Sequence, residues 1–514
     1  MIVEYGEVTG DRREQVDVIV IGSGCGGATV AKELAAAGHS VLILERGGYY
    51  TTARGDFDQR ADDMLARIDG GRGLDTTTNG QIGLLYGNCV GGASVHYWAD
   101  SWRIPADRCD RYAELGVEGH ADADLAPHYA RIEHDLNIHP APREYYNRMN
   151  ELFDVGARRL GWQVEAVPQA RKGCIKSGHC YQGCAFDAKQ SQLVTHIPAA
   201  IAAGARLFAD CRVEAITTDA RGRANGVQAS FIDRRTGKPM GHTLTATARC
   251  VVLAAGGYGS PVVWLRSKLP NSSGQVGRNL YCNPTPYLHA IFPEKVEQWW
   301  SIPTATGTMD FRLPRYEGRR YVEGGYLLHP NQLQPELLAV TLPGFGIEHR
   351  RVMDILPRLG GAVSWIDDEV PGEITLDRRG RPVYRYEIRG VDVLKIRDAM
   401  KKQALLLLAA GATEVIAPDP TGTRIRDEKE ISILDTLDIA SGAILFGAPH
   451  PAGTLRMGAD RRTSVVSSSH EAHEVPGLFV ADPSAFPLPP SVDPSLGIMA
   501  WSYVAADAVR RHLA

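Results

Sequence analysis

Long apolar runs and an excess of charge of one sign are both missing from this 514-residue chain. No apolar run approaches the roughly 20 residues that cross a bilayer as a helix, which argues against a membrane-spanning segment. The formal net charge is only −4, so nothing favours nucleic acid or an anionic membrane surface as a partner. The first 15 residues are acidic and polar, unlike the basic and apolar blocks of a signal peptide.

Internal repeats and long low-complexity linkers are also missing, so the composition marks no sharp domain boundaries. A chain of this length is expected to form two or three domains. Its nine cysteines, without an export signal, predict reduced thiols in the cytoplasm rather than a disulfide frame. The 54 glycines exceed the average usage of about 7% and suit a fold whose backbone approaches a ligand closely.

The N-terminal part contains a glycine motif between a predicted strand and a predicted helix. Residues 16–21 form a short apolar, β-branched run that is typical of a buried parallel strand. Gly22, Gly24 and Gly27 follow with the spacing G-x-G-x-x-G, which provides a tight turn, room for a pyrophosphate and close helix–strand packing. Residues 28–37 are predicted to be the helix, whose positive N-terminus would face the phosphates.

A second predicted strand, residues 40–44, ends at Glu45 and Arg46. Glu45 lies 23 residues after Gly22 (45 − 22), where an acid would bind the ribose hydroxyl pair of a dinucleotide. Strand, glycines, helix and acid together predict a dinucleotide site. The alternative is a tight strand–helix turn without a ligand.

Later segments favour FAD over NAD. Residues 251–255 are predicted to form another buried strand, which leads into the glycine-rich segment 256–261. Residues 276–280 (VGRNL) come shortly afterwards. Together with VLILERGG at 41–48, these segments resemble flavoproteins in which FAD lies extended through several distant parts of the chain.

Five motifs besides the N-terminal glycines resemble the glucose–methanol–choline (GMC) oxidoreductases, and the resemblance spans nearly the whole chain. Each motif alone is weak, but jointly they are specific. They are CVGGASVH at 89–96, VVLAAGGYGSP at 251–261, VGRNL at 276–280, HPAGTLRMG at 450–458 and SVDPSLGIMA at 491–500.

The resemblance implies a mixed α/β fold with two domains. A Rossmann-like FAD-binding domain would comprise 1–100, 190–285 and 440–514, and a substrate or lid domain built on an antiparallel sheet would comprise 101–189 and 286–439. Two short alternating stretches around a polar turn, at 373–384, predict a hairpin in that antiparallel sheet. The residues expected to bind FAD are Gly22, Gly24, Gly27, Glu45, Arg46, Gly91, Gly92, Ser94, His96, Val213, Ala255, Asp482, Pro494 and Ser495.

His450 and Asp493 are the predicted catalytic pair. Oxidation of an alcohol by flavin needs a base for the hydroxyl proton while hydride leaves carbon for the flavin N5, and an imidazole suits that role near neutral pH. The resemblance gives His450 this role; the alternative is a histidine that only packs the loop.

Asp493 departs from the family pattern, which carries Asn or His at this position. An ionised Asp only accepts hydrogen bonds, and beside His450 it would favour the imidazolium and weaken the base. Three interpretations remain open: Asp493 holds a proton, it orients His450, or it binds a cationic or polyhydroxylated substrate. Gly497 also replaces a Thr of the family pattern, which puts a flavin contact there in doubt.

His96 has two interpretations within the resemblance. In some sugar and choline oxidases of the family, a histidine four residues after the second glycine of a V-G-G motif carries the flavin covalently. His96 occupies that position after Gly91 and Gly92. Other relatives have a similar run without such a bond, and His96 would then shape the pocket near the flavin ring.

Cys174, Cys180 and Cys184 form the spacing C-x5-C-x3-C. This resembles the three-cysteine iron–sulfur site in the catalytic subunit of bacterial FAD-dependent glucose dehydrogenases, and closely spaced thiolates suit soft metals. The proline expected after the last cysteine is absent here. A zinc site with His179 and unliganded structural thiols are the alternatives.

These observations predict a soluble FAD-dependent oxidoreductase that oxidises a CH–OH group of a sugar, glycoside or other alcohol. The electrons would pass to oxygen or to another acceptor, so both an oxidase and a dehydrogenase are consistent with the sequence. Two alternatives are a non-redox lyase that retains FAD as structure and an electron-transfer subunit of a dehydrogenase complex with a partner subunit.

Overall fold

An eight-stranded sheet carries the N-terminal glycine motif. The computed structural model describes residues 1–73, 75–440 and 442–514. Seven strands of the sheet are neighbours in the order Ile2–Val3, Arg206–Phe208, Val41–Leu44, Arg12–Ile21, Pro239–Leu253, Ala224–Ile232 and Cys211–Thr218. The eighth, Leu478–Val480, pairs in parallel with Pro239–Leu253.

The central strand Arg12–Ile21 is buried on both faces at its C-terminal end. Ile19 and Ile21 pack into the apolar cluster on one side of the sheet, and Val18 and Val20 pack into the cluster on the other, as the alternation of side chains along a strand requires. Both neighbouring strands run parallel to it, which explains its nearly continuous apolar sequence.

The glycine motif connects this strand to the helix Cys25–Ala36. The predicted strand and helix are therefore confirmed, although the strand begins earlier and the helix begins at Cys25. The predicted strands at 40–44 and 251–255 correspond to Val41–Leu44 and to the end of Pro239–Leu253.

A second, five-stranded sheet is antiparallel throughout. The long helix Val391–Ala409 packs on it and contributes buried side chains to a shared apolar cluster. The predicted fold class, mixed α/β with a Rossmann-like part and an antiparallel sheet, is confirmed. The strand order is Tyr326–Pro330, Leu359–Ile366, Tyr287–Ile291, Glu414–Ile416 and Arg424–Ile425.

The strands of the eight-stranded sheet lie within 2–44, 206–253 and 478–480, and those of the five-stranded sheet lie within 287–425. The domain limits given above remain predictions.

The predicted hairpin at 373–384 forms, but the prediction of its sheet is wrong. Gly372–Leu376 pairs with Pro382–Arg385, and its other neighbour is Arg278–Leu280. These three strands make a separate sheet, because the hairpin pairs with the strand of the VGRNL motif and not with the five-stranded sheet.

The remaining strands form short pairs. They are Glu165–Ala166 with Thr306–Gly307, Arg315–Glu317 with Arg320–Glu323, Ile82–Leu84 with Phe446–Ala448, and Ile138–Pro140 with Pro168–Ala170. Besides the two helices given above, the α-helices are Ala61–Ile68, Ala106–Glu114, Asp122–Asp135, Arg148–Arg159, His196–Ala202, Gly256–Arg266, Pro335–Thr341, Gly346–Met353 and Ser495–Leu513. In the part of the chain that the structure describes, no helix is long and apolar enough to cross a bilayer, and the cytoplasmic location remains a prediction.

Gly27 allows the first helix to approach the central strand. A Cβ atom at this position would lie 2.0 Å from the carbonyl oxygen of Gly22. The packing role predicted for the third glycine is therefore visible in the structure.

We expect Gly27→Ala to lower the free energy of unfolding by about 1–3 kcal/mol, the usual cost of forcing extra volume into a packed site. Urea unfolding of the purified protein would measure this. Gly10→Ala is the matched control, because a Cβ there meets nothing within 4 Å. Its effect should stay within about 0.5 kcal/mol, and an equal loss in both variants would contradict the packing role of Gly27.

Candidate active site

A cavity of about 440 Å³ brings together most of the predicted site residues. It runs from the glycine motif to the loops that carry His450 and Asp493. The predicted residues that line it are Gly22, Gly24, Glu45, Arg46, Gly92, Ser94, His96, Val213, Ala255, His450, Asp482, Asp493, Pro494 and Ser495.

Two predicted residues, Gly27 and Gly91, lie behind this lining. Gly27 packs the helix on the strand, as described above. Gly91 has a φ of 98°, and its N–H donates to the Ser23 hydroxyl, 3.1 Å away. Both glycines shape the wall of the cavity rather than line it.

The helix N-terminus at the cavity suits a phosphate group. Gly24 is the N-cap of Cys25–Ala36 and provides no side-chain hydrogen bond to the first turn. A Cβ at Gly24 would meet only the Gly92 Cα, at 3.8 Å, so this backbone is open towards the cavity. First-turn N–H groups and the helix dipole favour an anion at such a position, which fits the pyrophosphate of FAD.

Glu45 is buried beside the glycine motif. Its Oε2 accepts from the N–H and hydroxyl of Ser23, at 3.0 and 2.8 Å, and its Oε1 accepts from the Gly47 N–H at 2.8 Å. Burial raises the pKa of Glu45, and these hydrogen bonds oppose that shift. Oε1 keeps a second lone pair, and the contact of Glu45 with ribose hydroxyls remains a prediction.

The hydroxyls of Ser94 and Ser495 are engaged within the protein. Ser94 donates to the Gly91 carbonyl, and Ser495 donates to the carbonyl of Asp100. Asp482 accepts from the Gly256 N–H at 2.9 Å and from the Ser484 N–H at 2.8 Å. These residues position the loops around the cavity, and any direct contact with FAD remains a prediction.

His450 presents one defined ring nitrogen to the cavity. Its Nδ1 lies 2.8 Å from Asn283 Oδ1, and the Asn283 amide nitrogen donates to the Ile366 carbonyl at 2.5 Å. The amide oxygen must therefore accept, so Nδ1 carries the proton and Nε2 keeps a free lone pair. Burial, and secondarily His329, lower the pKa of His450 to about 3, which keeps the ring neutral.

The Asp493 carboxyl lies close to that lone pair. Its Oδ1 lies 3.5 Å from His450 Nε2, and its buried Oδ2 has no hydrogen-bond partner. Burial, reinforced by the nearby carboxylate of Asp100, raises the pKa of Asp493 well above its ordinary value. The separation would admit an ion pair, but burial disfavours both charges, and we infer a neutral imidazole beside a protonated carboxyl.

Asn283 is a site residue that the sequence analysis missed. It follows the VGRNL motif closely and precedes Pro284, and its φ of 54° places it in the left-handed region. An asparagine before a proline, just after a predicted flavin-binding motif, is a signal that could have identified it.

His96 lies in the wall of the cavity. Its ring meets Tyr181 edge-on with centroids 5.8 Å apart, and its buried Nε2 has no protein partner. Burial, followed by the charge of Lys189, lowers the pKa of His96 to about 3. The wall of the cavity therefore contains a neutral His96 ring whose Nε2 has no protein partner.

Cys174, Cys180 and Cys184 line a separate, small cavity together with His179. The buried Arg171 guanidinium donates to Cys180 Sγ at 3.3 Å, and the Lys176 N–H donates to Cys174 Sγ at 3.4 Å. Among the residues that the structure describes, no three His, Cys, Asp or Glu side chains are arranged to hold a metal ion. Two of the three thiols, those of Cys174 and Cys180, accept hydrogen bonds from the protein, and an iron–sulfur cluster at this loop remains a prediction.

Comparison with known proteins identifies the family. A family model described as GMC oxidoreductase matches residues 8–285, and a second, C-terminal GMC oxidoreductase model matches 368–502. An uncharacterised GMC-type oxidoreductase of Mycobacterium tuberculosis is 31% identical over 96% of this chain and 75% of its own length.

Two further relatives have named activities. A long-chain-alcohol oxidase of Arabidopsis thaliana is 26% identical over 97% of this chain and 67% of its own length. A 2-methyl-1,2-propanediol dehydrogenase of Mycolicibacterium austroafricanum is 25% identical over 97% of this chain and 96% of its own. The structure of formate oxidase from Aspergillus oryzae superposes with a TM-score of 0.74 at 14% identity, covering 98% of this chain and 99% of that one, which shows a shared fold.

The burial of Asp493 predicts a pH-dependent effect of Asp493→Asn on stability. Because the pKa of Asp493 is raised in the folded state, the wild type should lose stability relative to the variant as pH rises above about 4, by up to about 1.4 kcal/mol per pH unit until the raised pKa is passed. Urea unfolding between about pH 5 and pH 8 would measure the difference.

Asp460→Asn is the control for this titration. Asp460 is partly exposed, and the Arg462 guanidinium holds its pKa below the ordinary value, so its replacement should bring no gain as pH rises. A stability difference between wild type and Asp493→Asn that does not change with pH would contradict a protonated Asp493.

Proposed function

This chain belongs to the GMC oxidoreductase family of FAD flavoproteins, and we propose that it oxidises a CH–OH group of an alcohol or sugar with His450 as the base. The observation that carries the proposal is the free Nε2 lone pair of a neutral His450 in the same cavity as the glycine motif. When bound, FAD supplies the acceptor for the hydride that leaves the substrate carbon.

The geometry around His450 supports proton abstraction. A hydrogen bond between Nε2 and Asp493 would be near 2.8 Å, whereas the observed distance is 3.5 Å. Nε2 is therefore available to a substrate hydroxyl, which could also contact the Asp493 carboxyl. In this proposal His450 takes the hydroxyl proton, and the protonated Asp493 donates to the substrate oxygen and orients it.

The walls near His450 are aromatic and favour an alcohol with an apolar part. Trp365 meets the His450 ring at 5.5 Å between centroids, and Trp98 lies 5.8 Å from Trp365. Tyr287 also lines the cavity. Aromatic faces bind the carbon skeleton of a substrate while a few polar groups fix its orientation.

We expect anaerobic addition of a substrate alcohol to bleach the flavin absorbance, because the electrons then stay on the cofactor. A panel of aliphatic alcohols, diols, sugars and glycosides would identify the substrate class. Conversion of the substrate to product without bleaching of the flavin would favour the non-redox lyase. Rapid loss of the flavin absorbance that requires a partner protein would favour the electron-transfer subunit.

In steady-state turnover with oxygen or another acceptor present, His450→Gln should lower kcat by about 100- to 10,000-fold, the usual contribution of a positioned base. His128→Gln is the matched control. His128 is half-buried and stacks on Tyr503 at 5.2 Å, outside the cavity lining, so its replacement should leave kcat within about twofold. Equal activity of His450→Gln and wild type would remove His450 from the mechanism.

For the cofactors, we propose a non-covalent flavin that contacts His96 Nε2 and a cysteine triplet without iron. A hydrogen bond to the flavin would satisfy the unpaired nitrogen. Among the described residues no three His, Cys, Asp or Glu side chains are arranged for a metal ion, and Cys180 and Cys174 accept hydrogen bonds from Arg171 and the Lys176 N–H.

Acid precipitation of the purified protein should therefore release the yellow colour, and iron and acid-labile sulfide should be absent. Colour that stays with the pellet and disappears in His96→Ala would show the covalent bond instead. Stoichiometric iron and sulfide that are lost in Cys180→Ser would show the cluster.

A further inference from the structure

Two adjacent carboxyls, Asp367 and Asp368, lie close to the proposed catalytic pair, at the end of one strand of the five-stranded sheet. They follow directly on Leu359–Ile366, a strand whose residues are all buried. Both are themselves buried, with 7% and 2% of their surfaces exposed. Buried carboxyls are costly unless several donors satisfy them, so the partners of Asp367 and Asp368 indicate what they do.

Asp368 holds the loop that orients His450. Its Oδ2 accepts from the Cys282 N–H at 2.8 Å and from the Tyr386 hydroxyl at 2.7 Å, and its Oδ1 accepts from the Asn283 N–H at 3.1 Å. Asn283 in turn accepts from His450 Nδ1. Asp368 therefore acts on His450 through one intermediate residue.

Asp367 holds the loop that carries Asp493. The Ser491 hydroxyl donates to Asp367 Oδ2 at 2.6 Å, and the Arg108 guanidinium donates to both the Asp367 carboxylate and the Ser491 oxygen. Ser491 lies two residues before Asp493. Asp367 is fixed to the sheet, since its own N–H donates to the Gly325 carbonyl at 2.9 Å.

Both loops need such support because each contains a non-glycine residue in the left-handed region. Ser491 has a φ of 60° and Asn283 a φ of 54°. Such conformations persist at functional sites only where the surrounding contacts enforce them.

The same strand also touches the site directly. Trp365 packs edge-on against the His450 ring, and the Ile366 carbonyl accepts from the Asn283 amide. Four consecutive residues, 365–368, thus contact His450 or one of the two loops. We infer that Asp367 and Asp368 are positioning residues that set the separation of His450 and Asp493 and the tautomer of His450, an inference that rests on the proposed function of that pair.

Replacement of Asp368 by Asn should disturb the His450 tautomer. The carboxylate accepts from two backbone N–H groups on its two different oxygens, whereas an amide would turn its NH₂ group towards one of these donors. The Asn283 segment would then shift, and the Nδ1 proton of His450 would lose its acceptor. A shift of about 1 Å at a catalytic group commonly costs about 100-fold in rate, so we expect kcat to fall at least about tenfold.

The test reads the two groups directly by NMR on the flavin-loaded protein. With ¹⁵N-labelled histidine, the His450 resonances, assigned by their loss in His450→Gln, should show the Nδ1-protonated tautomer in the wild type and a mixture in Asp368→Asn. Asn283→Ala provides the reference spectrum of a His450 ring whose Nδ1 proton has lost its acceptor. With ¹³C-labelled aspartate, the Asp493 carboxyl resonance, assigned by its loss in Asp493→Asn, should move in Asp367→Asn.

Asp398→Asn is the matched control. Asp398 also accepts from a backbone N–H, that of Gly324 at 3.0 Å, and from a tyrosine hydroxyl, that of Tyr326 at 2.7 Å. It contacts neither loop, so its replacement should leave both NMR signals and kcat unchanged even if it lowers the melting temperature. If an aspartate variant does not fold, Tyr386→Phe and Ser491→Ala remove one partner of Asp368 and one of Asp367 without a change of charge.

Unchanged His450 and Asp493 resonances in folded Asp368→Asn and Asp367→Asn, or shifts equal to those of Asp398→Asn, would overturn the inference. These spectra do not depend on turnover. A wild type that oxidises no alcohol, but shows the expected spectral changes, would overturn the proposed function and leave the positioning role intact.

Discussion

The hydrogen bond between His450 Nδ1 and Asn283 Oδ1 determines what the rest of the cavity can do. It fixes the proton on Nδ1, and Nε2 is left as an unprotonated nitrogen that faces Asp493. The exclusion of water makes this arrangement effective, since burial keeps the imidazole neutral and keeps a proton on the carboxyl. A base and a hydrogen-bond donor then face the same small space, although an aspartate beside a histidine in water would form an ion pair.

This arrangement resolves the departure of Asp493 from the family pattern in physical terms. A protonated carboxyl has one O–H donor and one acceptor oxygen, as the asparagine of the pattern has a donor and an acceptor group. Asp493 can therefore replace Asn without loss of a donor, provided that the site stays dry and Asp100 remains close by. The buried Asp493 Oδ2 has no hydrogen-bond partner, which lowers the free energy of unfolding.

Much of the fold and of the lining of the candidate site could be predicted from the sequence, because those parts depend on local patterns. The glycine spacing, the apolar run before it and the acid after the second strand each have a structural meaning that needs no partner. The hairpin at 373–384 was also recognisable, but its sheet was not, since pairing with Arg278–Leu280 is a contact between distant segments. Asp367 and Asp368 could not be predicted for the same reason, because their roles arise only where three loops and one strand end meet in space. Asn283 has a local signal in its position before Pro284, but its contact with His450 joins distant segments.

The central claim is that the proposed catalytic pair consists of a neutral His450, protonated only on Nδ1, and a protonated Asp493. Neutron diffraction from deuterium-exchanged crystals near neutral pH would locate these nuclei. The account predicts a deuteron on His450 Nδ1, none on Nε2 and one on the Asp493 carboxyl. Deuterons on both ring nitrogens beside a bare Asp493 carboxylate would contradict it.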